Sequence, residues 1–122
     1  MKKILIIEDE AEIQDLIKEL LIADLGEVEA TYAMDGNEGF DLASKEKFDL
    51  ICTDHMMPNR KGADFLAQIR RTPGPNQMTP IILISANIPD LPEYVTTLEN
   101  AYFMAKPIDF TRLKRYAKMA MK

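Results

Sequence analysis

Short aliphatic runs alternate along this chain with stretches whose apolar residues recur every three or four positions. Repeated βα units feeding a parallel sheet leave this pattern. Ile4-Leu5-Ile6-Ile7 and Ile81-Ile82-Leu83-Ile84 are unbroken and rich in β-branched residues, as strands covered by helices on both faces should be, so both are predicted in mid-sheet. Val28, Ala30 and Tyr32 instead alternate with Glu29 and Thr31, which predicts one drier face, one wetter face and an edge position. Phe48 to Thr53 is a third central candidate, and Ala101 to Met104 a short fifth strand closed by Lys106-Pro107.

The intervening stretches read as helices. Ile13, Leu16, Ile17, Leu20 and Leu21 form one apolar stripe, with Gly26 placed to stop it. Asp35-Gly36 turns into a second helix through Phe40 and Ala43; Phe65, Leu66 and Ile69 mark a third, and Thr72-Pro73-Gly74-Pro75-Asn76 breaks the chain after it. Pro89 and Pro92 confine the fourth helix to Glu93 to Asn100. Phe110, Leu113, Ala117 and Ala120 predict a core-facing side for the fifth. The expected fold class is α/β, and a length of 122 residues suits one domain spanning 1–122 with a single sheet.

Composition narrows the function classes. Fifteen Lys and Arg against twenty Asp and Glu leave a net charge of −5, which disfavours direct nucleic-acid binding without a dense basic patch. The local excess Arg112, Lys114, Arg115, Lys118 and Lys122 sits at helical spacing and reads as a solvated face near a helix C-terminus. No apolar run approaches the ~20 residues of a membrane span, so no membrane association is expected. The lone Cys52 cannot pair internally, and the start lacks the pattern of a secretory signal, so a cytoplasmic location is expected. Cys52 itself reads as a small buried apolar group.

In an open α/β sheet, ligands bind beyond the carboxyl ends of the strands. The residues there are Glu8 and Asp9, Asp54, Ser85 and Lys106. If the first, third and fourth strands are neighbours, these carboxylates share one crevice and need a cation among them. Oxygen ligands without clustered His or Cys favour Mg²⁺, with Mn²⁺ the other hard cation admitted. With the metal and Lys106 neutralising charge, Asp54 becomes a nucleophile towards a phosphoryl group, and Ser85 a hydrogen-bond donor to its oxygens. His55, next to the nucleophile, reads as a partly exposed bystander; Tyr94, Tyr102 and Tyr116 could line a partner surface or cover the core.

Glu8-Asp9, Asp54-His55-Met56-Met57-Pro58 with Gly62, Ser85-Ala86 and Lys106-Pro107, in this order, resemble the response-regulator receiver domain, over essentially the whole chain. That resemblance implies a doubly wound, flavodoxin-like (βα)5 fold with strand order 2-1-3-4-5. It implies Asp54 as phosphoacceptor, and Mg²⁺ bound by Asp9, Asp54 and the main-chain carbonyl of Met56, with Glu8 acting through water. It further implies Lys106 on the phosphoryl group, a cis Lys106-Pro107 bond, and Ser85 with Phe103 as the switch pair. The implied partners are a sensor histidine kinase or histidine phosphotransfer domain. Downstream, the fourth helix, fifth strand and fifth helix would meet another protein or a second copy. The chain departs from the common pattern at Glu8 (usually Asp), Ser85 (often Thr), Phe103 (often Tyr) and Ile108 (often Phe), and in the prolines after Asn87. An interaction module of the same fold that works without phosphorylation is the alternative; the complete acid, hydroxyl and lysine set argues against it. A small-substrate phosphatase of the haloacid-dehalogenase kind would need a second Asp where Met56 stands.

Overall fold

A computed structural model describes residues 1–121, apart from the side chain of Asp24. Its elements run β1 (Lys2–Ile7), α1 (Ala11–Leu25), β2 (Val28–Ala33), α2 (Gly36–Lys45), β3 (Leu50–Asp54), α3 (Gly62–Arg71), β4 (Ile81–Ser85), a 3₁₀ turn (Ile88–Asp90), α4 (Glu93–Thr96), β5 (Ala101–Ala105) and α5 (Phe110–Ala120). The strands form one parallel sheet in the order β2-β1-β3-β4-β5. The unbroken runs occupy the middle and the alternating strand an edge, as their patterns require.

Because side chains alternate across a strand, each apolar run feeds two cores. Leu5, Ile7, Ile51 and Leu83 meet Ala43 of α2, Phe65 and Leu66 of α3 and Val95 of α4 on one face. Ile4, Ile6, Leu50, Cys52, Ile82, Ile84 and Met104 meet Ile17, Leu21, Leu113 and Ala117 of α1 and α5 on the other. Each fully buried Leu, Ile or Phe contributes roughly 1.5–3 kcal/mol, which makes the sheet the rigid platform for what lies at its end. Helix α1 ends at Gly26, whose φ of +80° disfavours any residue with a Cβ.

Three expectations need correction. The fourth helix is half the anticipated length and ends at Thr96 rather than Asn100. The Glu93 carbonyl accepts the Thr97 N–H and both the Thr96 and Thr97 hydroxyls, so the threonine side chains fold back onto this single turn. Phe110 does not face the core: it opens α5 and is 51% exposed, whereas Leu113 and Ala117 are fully buried. A first-turn side chain points back over the preceding loop, here beyond the sheet. The third strand starts at Leu50, not Phe48, whose N–H goes to the Asn76 side chain instead of a neighbouring strand. Of the basic group near the C-terminus, Lys122 lies outside the described residues.

Candidate functional site

Strand register sets the site. Ile7 pairs with Thr53, Asp54 with Ile84 and Ser85 with Ala105, so Glu8, Asp54, Ser85 and Lys106 emerge side by side at the carboxyl end of the sheet. The Asp54 carboxylate is 95% buried, and Lys106 Nζ stands 2.8 Å from its Oδ1. The contact is an ion pair, and no other group among the described residues donates to Asp54 Oδ1. Burial pulls the Lys106 ammonium down, but Asp54, Glu8 and Glu10 outweigh it and raise its pKa.

Glu8 is buried, and that burial, with the Asp54 charge beside it, pushes its carboxyl up to about 7. Glu8 is held from several sides. Its N–H donates to the Ala33 carbonyl, its carbonyl accepts from Gln14 Nε2 at 2.7 Å, and its Oε1 accepts from the Glu10 N–H at 3.2 Å. Glu8, Asp9 and Glu10 can each bring one carboxylate oxygen to within 4.8 Å of the others. Asp9 and Glu10 face solvent.

Beyond Asp54 the chain turns sharply. The His55 N–H donates to the Ile84 carbonyl and the Gly62 N–H to the His55 carbonyl, closing a loop around exposed Met56 and buried Met57. A Cβ at position 62 would run into the Asp54 carbonyl oxygen and the His55 backbone, so this close approach requires glycine. His55 Nδ1 accepts from the Ala63 N–H at 3.2 Å, and burial lowers the imidazole pKa, so this nitrogen is an acceptor. Ser85 is buried; its Oγ accepts from the Asn87 N–H at 3.3 Å and its carbonyl from the Lys106 N–H at 2.8 Å. The Lys106-Pro107 bond is cis. Phe103 is half-buried against the core that contains Val95 and Leu83. Cys52 lies wholly inside the sheet, its thiol pushed up to about 12 by burial.

An acidic cluster, a buried carboxylate oxygen with no donor but Lys106 among the described residues, and a raised Glu8 pKa together fit a hard divalent cation. Sequence reasoning passed over Glu10 and Gln14. Glu10 was visible as the third acid of a run, and Gln14 as a polar residue beside the apolar stripe of α1 that proves to be buried.

The receiver-domain model of response regulators matches residues 4–118. The chain belongs to that family, the receivers of two-component signalling. It is 36% identical over 115 residues to the response regulator ArlR of Staphylococcus saprophyticus, a match covering 93% of this chain and 49% of ArlR. The chain thus spans about half or less of the first curated relatives it matches. The response regulator TrrA of Thermotoga maritima, solved in complex with Mg²⁺ and BeF, superposes with a TM-score of 0.83 at 27% identity, covering 98% of this chain and 99% of TrrA. The receiver domain of a sensor histidine kinase from Pseudomonas aeruginosa, with magnesium in its active-site cleft, gives 0.82 at 25% identity and coverages of 98% and 97%.

Proposed function

We propose that residues 1–122 form one receiver domain in which Asp54 accepts a phosphoryl group from a phosphohistidine on a sensor kinase or histidine phosphotransfer domain. The observation that carries this reading is the buried Asp54 Oδ1, 2.8 Å from Lys106 with no other donor among the described residues, beside Glu8, which adjoins Asp9 and Glu10. An Asp54 carboxylate oxygen attacks phosphorus, the P–N bond breaks, and the departing imidazole keeps the electron pair and takes up a proton. Asp9, Asp54 and the Met56 carbonyl would hold Mg²⁺, or Mn²⁺, with Glu8 acting through bound water. The metal would supply charge neutralisation for the incoming phosphoryl oxygens.

Lys106 then exchanges its contact with Asp54 for one with a phosphoryl oxygen, and Ser85 turns its hydroxyl from the Asn87 N–H towards another. Half-buried Phe103 follows, altering the face made by α4, β5 and α5 that a downstream protein or a second copy reads. A cytoplasmic location accompanies such a donor; no described helix is long and apolar enough to cross a membrane. Intact-mass spectrometry after incubation with acetyl phosphate and Mg²⁺ tests the reading. The expected result is one added phosphoryl group on the parent and none on Asp54→Asn. Equal labelling of the variant would remove Asp54 as acceptor.

A further inference from the structure

A groove runs between the outer face of α3 and α4, beginning at the loop that follows Asp54. It encloses about 580 Å³, within the ~300–1,000 Å³ of ordinary binding clefts. Three cations line it, Arg60, Lys61 and Arg71, against the single acid Asp64, on a protein of net charge −5. Lys61, Asp64, Gln68 and Arg71 recur at helical spacing, so they form one stripe along α3. Opposite the stripe stands Tyr94, 60% exposed although large and aromatic, while Met57 and Ala67 give the groove a buried apolar floor.

Arg60 stands at the end of the groove nearest α2. Its guanidinium lies 4.6 Å over the Phe40 ring, which fixes its plane, yet its Nη1 is buried without a hydrogen-bond partner among the described residues. Arg71 donates its Nε–H to the Ala67 carbonyl at 3.3 Å. Guanidinium forks match carboxylates in a planar, bidentate way, and Arg and Tyr are the side chains that dominate protein–protein contacts.

We propose that the α3–α4 groove, lined by Arg60, Lys61, Arg71 and Tyr94, is a docking site for an extended acidic segment of a partner protein. The spacing of the charges selects this occupant. Lys61 and Arg71 are ten positions apart on a helical path, about 15 Å at 1.5 Å per residue, with Asp64 between them. A compact polyphosphate would concentrate its charge at one end and meet Asp64. A peptide of about five extended residues spans the same length, carries a carboxylate to each end and lays an apolar residue on Met57, Ala67 and Tyr94.

The test is a titration of the ¹⁵N-labelled full chain with the peptide Glu-Glu-Leu-Glu-Glu at low salt, followed by NMR and repeated by fluorescence anisotropy with a labelled copy. Saturable shift changes are expected over residues 57–71 and at Tyr94. They should vanish at about 1 M salt, where the screening length falls to about 3 Å. Arg71→Glu and Lys61→Glu should each weaken binding about tenfold or more, equivalent to 1.4 kcal/mol, and Arg71→Gln less. Unchanged melting temperatures would show that the variants remain folded. Shift changes centred instead on Thr111, Lys114 and Arg115 of α5, no saturable binding, or tighter binding of ADP than of the peptide at the groove would each overturn the proposal.

Discussion

Lys106 Nζ touches Asp54 Oδ1 at 2.8 Å, and although the carboxylate is almost wholly buried, the lysine side chain is 42% exposed. An acid so buried needs a cation, but a half-exposed ammonium can leave it without large desolvation cost. In the proposed reaction the lysine would neutralise Asp54 at rest and move onto a phosphoryl oxygen as one arrives.

Replacing Lys106 by Met should lower the rate of Asp54 labelling by acetyl phosphate by roughly 10²–10³-fold, the usual effect of losing one charge-stabilising donor in a transition state. Mg²⁺ affinity should hold or rise, since a competing cation has gone. A time course by intact mass and a metal titration read the two effects separately. Parent-like labelling would take Lys106 out of the reaction.

Arg70 is the second polar centre of the molecule, and its role is structural. It is 91% buried, and its guanidinium donates to the carbonyls of Glu99 (2.8 Å), Gln77 (2.8 Å), Thr79 (2.6 Å) and Asn100 (2.9 Å). Burial lowers its pKa to about 10 against the favourable field of Glu99, which still leaves it charged at neutral pH. Arg70→Met should cost roughly 2–4 kcal/mol, because the carbonyls of two loops lose their shared donor at once. Arg70→Lys should recover only part of it, as an ammonium cannot span the fork. Urea denaturation midpoints at constant m check both.

The contrast between these two residues shows what the sequence could convey. Ile4 to Ile7 and Ile81 to Ile84 announced central strands because two-sided burial leaves no polar position. Once strands were placed, their ends pointed to Glu8, Asp54, Ser85 and Lys106 without further information. Arg70 and Asn76 carried no such signal. Their partners are backbone carbonyls from remote segments, as when Asn76 Nδ2 donates to the Ala43 and Glu46 carbonyls, and backbone acceptors have no sequence signature. Phe110 misled for the related reason that periodicity assigns a helix face but not what lies opposite its first turn.

Asp35 ties the second helix to the loop beyond Asp54. Its Oδ1 accepts from the Glu38 N–H at 2.8 Å as an N-cap, and its Oδ2 accepts from Asn59 Nδ2 at 2.6 Å. These bonds favour the ionised form and lower its pKa below the ordinary 3.8. A carboxylate whose folded pKa is depressed contributes stability that is present above its unfolded pKa and lost as pH falls through the folded one. Asp35→Ala should therefore cost about 1 kcal/mol at pH 7. The gap from the parent should narrow only as the pH drops below 3.8. Urea titrations across pH decide it; a gap constant down to strong acid would show that ionisation is irrelevant to the cap.

Phe103 lies on the α4 side of the sheet. It pairs with Leu83 in the ladder and packs with Val95 of α4, while its neighbours Tyr102 and Met104 point to the opposite core. Tyr102 lies against Tyr116 of α5, with ring centroids 5.8 Å apart. A tyrosine at position 103 would need a partner for its hydroxyl when turned inward; phenylalanine needs none, so the half-buried ring can turn in without losing a hydrogen bond. A switch works only through a difference between its two states, and a ring already half-buried at rest narrows that difference. Phe103→Ala should leave the Asp54 labelling rate nearly unchanged and cost roughly 2 kcal/mol of stability, less than a fully buried Phe. It should also reduce the NMR shift changes over residues 93–120 that beryllofluoride and Mg²⁺ induce in the parent. Identical shift changes in parent and variant would mean that Phe103 only fills the core, and that α4 senses the site through Ser85 and the 3₁₀ turn that follows it.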